Sequence, residues 1–352
     1  MYDIVLTFIT AFFITYVAIP SIIRISKEKH LMDKPGERSS HATSIPTLGG
    51  FGIFAGLICS VMYWTPFVVF SGLHYILCSL IIIALIGAKD DILPLTPYKK
   101  MLGQVVAAGI LVQKAGVRLT DFQGIFGIHE IPYWVSMLFS VFTIIVINNA
   151  FNLIDGINGL AGSISCVICV TFGVWFYSVD QIALAVLSAA LAGATVAFLK
   201  YNYTPARIFM GDTGSLIIGL VACILAIKFI ELNKPIGGVI HAVQSAPAVA
   251  VGVPIIPLFD TLRVFTKRIL NGKSPFYPDK THIHHILLDL GFSHMQGTTT
   301  LVVVNIFYIF LVFKLQWMGA LPLLMLLLFV STIASQAVFY AAQNRKKRLQ
   351  LA

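Results

Sequence analysis

Five aspartates stand where apolar stretches give way to polar ones: Asp90, Asp91, Asp155, Asp212 and Asp260. Carboxylates gathered at one depth repel one another, so such a set persists where a divalent cation or bound cationic groups offset the repulsion. Their neighbours add to the signal. Asp155 lies in the stretch 148–162, where Asn148, Asn149, Asn152, Asn158 and several glycines form a polar segment between two long apolar ones. Those glycines permit backbone conformations that the approach of a phosphate or metal often needs. Asp212 lies in Phe209-Met210-Gly211-Asp212-Thr213-Gly214-Ser215, just ahead of an apolar stretch. Asp212 or Thr213 there suits a helix N-cap, accepting from free backbone N–H groups, and a helix N-terminus also favours phosphate. The pair Asp90-Asp91 alone is what a solvated loop also carries.

A second group of chemically able residues is Thr281-His282-Ile283-His284-His285, followed by Asp289. If 281–289 is helical, His282, His285 and Asp289 share a face. Three His in four residues raise zinc, but no Cys and no preceding ligand pair accompanies them. Imidazoles beside Lys280 and Arg268 match the oxygens of a diphosphate better.

The elements that must position these groups are membrane helices. The 352 residues are 58% hydrophobic and only 11% charged, with a mean hydropathy of +0.89, far from the composition of soluble domains. Apolar stretches of spanning length fall at roughly 3–25, 47–65, 67–88, 98–113, 131–148, 162–178, 181–200, 213–231, 245–265, 298–314 and 318–341. An all-α polytopic membrane protein of about 11 spans is expected, the first stretch being a retained helix and not a signal peptide. Lys114, Arg118, Lys228, Lys234 and Lys314 aside, every Lys and Arg falls on one side if the N-terminus is outside, and the tail Arg345-Lys346-Lys347-Arg348 is then cytoplasmic. A positive-inside protein facing anionic lipid accounts for the net charge of +9 without nucleic acid. The five cysteines all fall within predicted spans and are read as packing residues.

These residues resemble the polyprenyl-phosphate N-acetylhexosamine-1-phosphate transferases, the superfamily that includes phospho-N-acetylmuramoyl-pentapeptide transferase and the undecaprenyl-phosphate N-acetylglucosamine-1-phosphate transferases. The resemblance runs through Arg38-Ser39-Ser40-His41 with Pro46-Thr47-Leu48-Gly49-Gly50, Asp90-Asp91, Asn148 to Gly162, Asn202 through Asp212, and Ser274-Pro275-Phe276 with His282 to His285. The His-Ile-His-His form is closer to the N-acetylglucosamine branch.

The resemblance implies one transferase domain over 1–352, its site built from cytoplasmic loops at roughly 26–46, 89–99, 148–162, 200–213 and 266–297. It implies transfer of a sugar 1-phosphate from a UDP-N-acetylhexosamine to undecaprenyl phosphate with release of UMP, in a bacterial cytoplasmic membrane. Mg²⁺ is the implied cofactor, with Mn²⁺ a substitute, and a homodimer is compatible. Asp90 matches a base toward the lipid phosphate, with Asp91 beside it; Asp212 matches a metal ligand, and Asp155 lies in the motif around nucleotide and metal. Phe209 matches a residue that stacks on uracil, and Asn202 a polar group of that pocket. Substrate contacts are further expected of Lys99, Asn152, Asn158, Arg38 and His41, and His282, His284 and His285 match donors toward diphosphate or sugar. The loop departs at Asn158, where the family commonly has Asp. The other function class is a transporter or lipid carrier without covalent chemistry, which would place ionisable residues near the bilayer midplane and often shows repeated halves.

Overall fold

The computed structural model describes residues 2–33, 44–65, 72–234, 242–274 and 281–351. Its helices are α1 (Tyr2–Glu28), α2 (Gly49–Trp64), α3 (Leu73–Ile92), α4 (Pro97–Gln113), α5 (Tyr133–Ile154), α6 (Leu160–Ser178), α7 (Ile182–Asn202), α8 (Gly211–Leu232), α9 (Ala246–Gly252), α10 (Ile255–Leu270), α11 (Ile283–Asp289), α12 (His294–Lys314) and α13 (Ala320–Leu351). Two short antiparallel strands, Met32–Asp33 and Ile45–Pro46, close the connection after α1.

The all-helical membrane architecture is as expected. Each of the eleven apolar stretches carries helix, yet by length and hydropathy seven helices among the described residues are able to cross a membrane, or eight if α9 and α10 count as one span bent by 82°. The bend falls at Val253-Pro254, where proline interrupts the helical hydrogen bonding. The polar stretch 148–162 is mostly not loop. α5 runs on to Ile154 and α6 starts at Leu160, so only 155–159 is irregular. With no water in the bilayer core, a backbone near the apolar region keeps its hydrogen bonds by staying helical.

α8 is the central element. It is apolar all round, nearly every residue from Thr213 to Ile230 is buried, and it packs against α2, α3, α5, α6, α7 and α9. By contrast α1 and α13 lie at the periphery and expose most of their apolar surface. The start of α8 is enclosed by backbone: a Cβ at Gly50 of α2 would meet the Gly214 amide, and one at Gly87 of α3 would meet Thr213. Small residues there let helices approach to backbone contact, the usual device where lipid supplies no hydrophobic drive.

Gly50→Ala therefore overpacks a contact that no side-chain rotation relieves, and is expected to cost about 1–3 kcal/mol. Gly109→Ala in α4 is the control, since nothing lies within 4 Å of its Cβ position. Thermal unfolding in detergent should show a lowered midpoint for the first variant alone.

Candidate active site

The site grows from the turn between α3 and α4. α3 ends as Leu93 N–H donates to the Lys89 carbonyl, and Asp90 Oδ1 accepts from Leu95 N at 2.6 Å, holding the short connection. Thr96 then precedes Pro97, whose missing N–H is harmless in the first turn of α4. One turn on, Lys100 comes back over Asp90, its Nζ 3.1 Å from Oδ2.

The same ammonium lies 2.5 Å from Asp212 Oδ2 and 3.3 Å from Asn152 Oδ1. Asn152 Nδ2 in turn donates to Asp212 Oδ1 at 2.6 Å and to Ser215 Oγ at 2.9 Å. Lys100 and Asp90 both keep about an eighth of their side-chain surface exposed, 14% and 12%, so the cluster is mostly withdrawn from water. One step deeper on the same faces, Asn149 and Gln104 exchange amide hydrogen bonds, at 2.7 Å for Asn149 Nδ2 to Gln104 Oε1. α4 and α5 are thus stitched by two polar pairs.

Asp91 points the other way. Its carboxylate accepts from Asp212 N at 2.6 Å and from Thr213 N and Oγ1 at 3.0 and 2.6 Å. These are the free donors of the first turn of α8. Asp91 is therefore an N-cap supplied by another helix, which corrects the expected capping at this helix start: Asp212 and Thr213 donate their backbone N–H groups to Asp91 instead of accepting. Gly211 has φ +70°, and a Cβ there would collide with Asp91.

Asp155 closes α5 and has no hydrogen-bonding partner among the described residues. Burial, then the charges of Asp212 and Asp91, push its carboxyl up to about 7. The following loop is held by Asn202, which accepts from Gly159 N at 2.6 Å and donates to the Ile208 carbonyl at 2.9 Å. Asn202 is buried and both ends of its amide serve backbone, so it holds the shape of the loop. Gly159 has φ +78°, which favours glycine. Asn158 donates from Nδ2 to Thr204 Oγ1 at 3.0 Å, while its backbone carbonyl accepts from Thr298 Oγ1 at 2.7 Å.

The His segment lies against this loop, since a Cβ at Gly156 would meet the His284 ring. His284 is buried, its Nδ1 has no hydrogen-bond partner, and burial followed by the nearby His285 brings it down to about 3, so the ring is neutral. His282 Nδ1 lies 2.8 Å from Asp260 Oδ2. His282 precedes α11 and Asp289 pairs with Lys346 at 2.7 Å, so the expected shared face of His282, His285 and Asp289 does not form as one donor surface. Among the described residues no three His, Cys, Asp or Glu are drawn together as a metal set.

Phe209 is half-buried, its backbone bonded to Pro46 O and Gly49 N. Lys99 is exposed and outside the cluster, and the lysine that joins the carboxylates is its neighbour Lys100. The choice was readable: Lys100 and Gln104, four apart, share the α4 face that meets α5. Arg38 and His41 lie outside the described residues.

Glycosyl transferase family 4 matches residues 73–230, which hold Asp90, Asp91, Lys100, Asn152, Asp155 and Asp212. A probable undecaprenyl-phosphate N-acetylglucosaminyl 1-phosphate transferase of Bacillus subtilis is 30% identical over 95% of this chain and 92% of its own. The chain belongs to glycosyl transferase family 4. The decaprenyl-phosphate N-acetylglucosaminephosphotransferase of Mycobacterium tuberculosis is 31% identical over 84% of this chain and 78% of its own. The undecaprenyl-phosphate alpha-N-acetylglucosaminyl 1-phosphate transferase of Yersinia pestis is 31% identical over 76% and 72%. Within this family 4 member the oxygen-rich donors Asp155, Asp212 and Asn152 suit a hard cation, and the uncompensated burial of Asp155 is what a cation would relieve.

The pH dependence of stability follows from Asp155. Its folded pKa, about 7, lies above the ordinary 3.8, so the folded form holds the proton more tightly. The stability this contributes is full below about pH 4 and is lost as pH rises to about 7. In EDTA, Asp155→Asn should unfold at a higher temperature than the wild type near pH 8, with the difference shrinking toward pH 4. An equal difference at both ends would remove the strain assigned to this carboxyl.

Proposed function

We propose that this chain transfers N-acetylglucosamine 1-phosphate from its UDP-sugar to undecaprenyl or a similar polyprenyl phosphate, releasing UMP. The observation that carries the reading is the cluster of Lys100, Asp90, Asn152 and Asp212 beside the unpartnered Asp155, all at helix ends, in a chain similar along most of its length to enzymes named for this transfer. The phosphate oxygen of the lipid attacks the sugar-bearing phosphorus of the donor, the bond to the bridging oxygen breaks, and UMP carries that oxygen away. A phosphate monoester is already largely ionised near pH 7, its second pKa being about 6, so Asp90 has little proton to remove. Its role is alignment: it sets the α3–α4 turn and holds Lys100. Lys100 supplies positive charge where two anions must meet, and a fixed ammonium of this kind costs no reorganisation as charge develops. Neutral His284, with His282 and His285, offers donors to the diphosphate from the opposite wall.

Asp155 and Asp212 with Asn152 would hold Mg²⁺, with Mn²⁺ a substitute. Bound there, the ion would screen the diphosphate and stabilise the leaving UMP. The same reading places the cluster on the cytoplasmic side of a bacterial inner membrane, with eleven spans, the N-terminus outside and the basic tail inside. A transporter is the weaker reading. The broken span α9–α10 resembles one, but no ionisable side chain stands at its break, and the acids lie at helix ends.

Purified protein incubated with undecaprenyl phosphate and a panel of UDP-sugars should release UMP with UDP-N-acetylglucosamine in Mg²⁺ and fail in EDTA. Binding of the lipid without UMP from any donor would leave the carrier reading. Two neighbouring lysines test the geometry in the same assay. Lys100→Ala should lose activity by about 10²-fold or more, as for removal of a fixed donor at a reacting oxyanion. Lys99→Ala should stay near wild type, and a reversed order would reject the cluster as the site.

A further inference from the structure

Asp260 belongs to none of the roles above, although it is among the most buried acids of the chain, at 2% exposure. It sits one and a half turns into α10, beyond the bend, and its carboxylate is fully engaged. Oδ2 lies 2.8 Å from His282 Nδ1, while Oδ1 accepts from Ile283 N at 3.0 Å and from Arg263 Nη2 at 2.7 Å. Arg263 also donates to the Thr281 carbonyl at 2.6 Å. Three consecutive residues, 281 to 283, are therefore gripped by a single turn of α10.

We propose that Asp260 is a positioning residue for His282, braced by Arg263, and that it sets the imidazole row against the catalytic loop. This rests on the reading that His282 acts on the sugar-nucleotide diphosphate. The argument is geometric. A carboxylate offers only acceptors, so the ring nitrogen that faces it is the one carrying a proton. Nδ1–H is held there, which leaves Nε2 as the atom presented to a ligand; it donates to an anion when the ring carries both protons, the form whose charge Asp260 offsets, and the ring cannot flip without breaking the bond to a buried charge. Ile283 N–H, a free donor of the first turn of α11, goes to the same carboxylate, so ring and helix start are fixed together. The His282 ring is parallel to that of His284, 9° apart with centroids at 5.7 Å, and His284 rests on Gly156 next to Asp155. An orientation imposed at Asp260 thus reaches the loop through two stacked rings. Arg263 and the Ile283 N–H both engage Oδ1, whereas Oδ2 is given to the His282 ring, so half of a buried carboxylate serves to orient an imidazole.

Because Asp260 would act through His282 and touch no substrate, its effect must disappear when His282 is gone. The test is a double-mutant cycle on UMP release, with kcat and KM for UDP-N-acetylglucosamine, using Asp260→Asn, His282→Ala and the double variant in the full-length protein. Asp260→Asn should lower kcat by about 10- to 100-fold, the range for losing a group that orients a functional imidazole. The double variant should be no slower than His282→Ala alone. If instead the two losses multiply, Asp260 acts independently of His282 and the proposal is overturned, while the donor reading of His282 stands. If His282→Ala is as active as wild type, the donor reading falls and the proposal with it. Arg263→Gln keeps the test available should Asp260→Asn not fold, because it leaves the carboxylate against His282 and removes its brace together with the bond to the Thr281 carbonyl. Its smaller loss should likewise vanish in the His282→Ala background, and persistence there would count against the proposal.

Discussion

One ammonium group holds the catalytic end of this bundle together. Lys100 lies between carboxylates from two other helices, 3.1 Å from Asp90 of α3 and 2.5 Å from Asp212 of α8, and touches Asn152 of α5 as well. Removing it would leave two partly desolvated carboxylates facing each other, the circumstance in which breaking an ion pair costs far more than the pair contributes. Asp155 lies outside its reach and shows what the others would suffer, a carboxyl pushed up to about 7 by burial and by its neighbours. In the side chains of the site the carboxyls of Asp90, Asp91, Asp155 and Asp212 outnumber the one ammonium of Lys100, and a cationic ligand on the Asp155 side has somewhere to go.

The adjacent pair Asp90-Asp91 divides two tasks by helix geometry. Successive residues on a helix point about 100° apart. One side chain turns toward α4 and Lys100, the other toward the first turn of α8. A substitution at either position thus disturbs Asp212, but by different routes: through its counter-charge from Asp90, and through the helix start that carries it from Asp91. Loss of activity on its own does not separate these two, whereas the stability of the α8 start does.

Much of this was legible in the residues. Composition announced helices in a membrane, and the acids at span ends marked the site, because a carboxylate near lipid is kept only for a reason. What stayed hidden was direction. Lys99 and Lys100 are equivalent as letters, and only the face shared with Gln104, met by Asn149 and Asn152, singles out the second. Asn202 reads as a pocket amide but lies at a chain crossing where Gly159 and Ile208 need its two ends. Asp260 reads as one more acid at a span end, and its partner lies 22 residues away, past the end of α10. Where helices end was also blurred, since the polar residues from Asn148 to Asn152 belong to α5 by backbone and to the site by side chain.

Asn158 shows how the loop tolerates its departure from the common acid. The segment 155–159 has two sides. Asp155 faces the carboxylates of α3 and α8, whereas Asn158 faces Thr204, Thr298 and His294. On that second side no Lys or Arg is bonded to residue 158 among the described residues, so an ionised side chain there would add to an excess of negative charge without a counter-ion of its own. An amide keeps a hydrogen bond to Thr204 from its N–H and leaves Oδ1 to accept from a ligand. The substitution thus shifts this wall of the pocket from charge to neutral hydrogen bonding, while the groups around Lys100, on the other side of the loop, are left as they are.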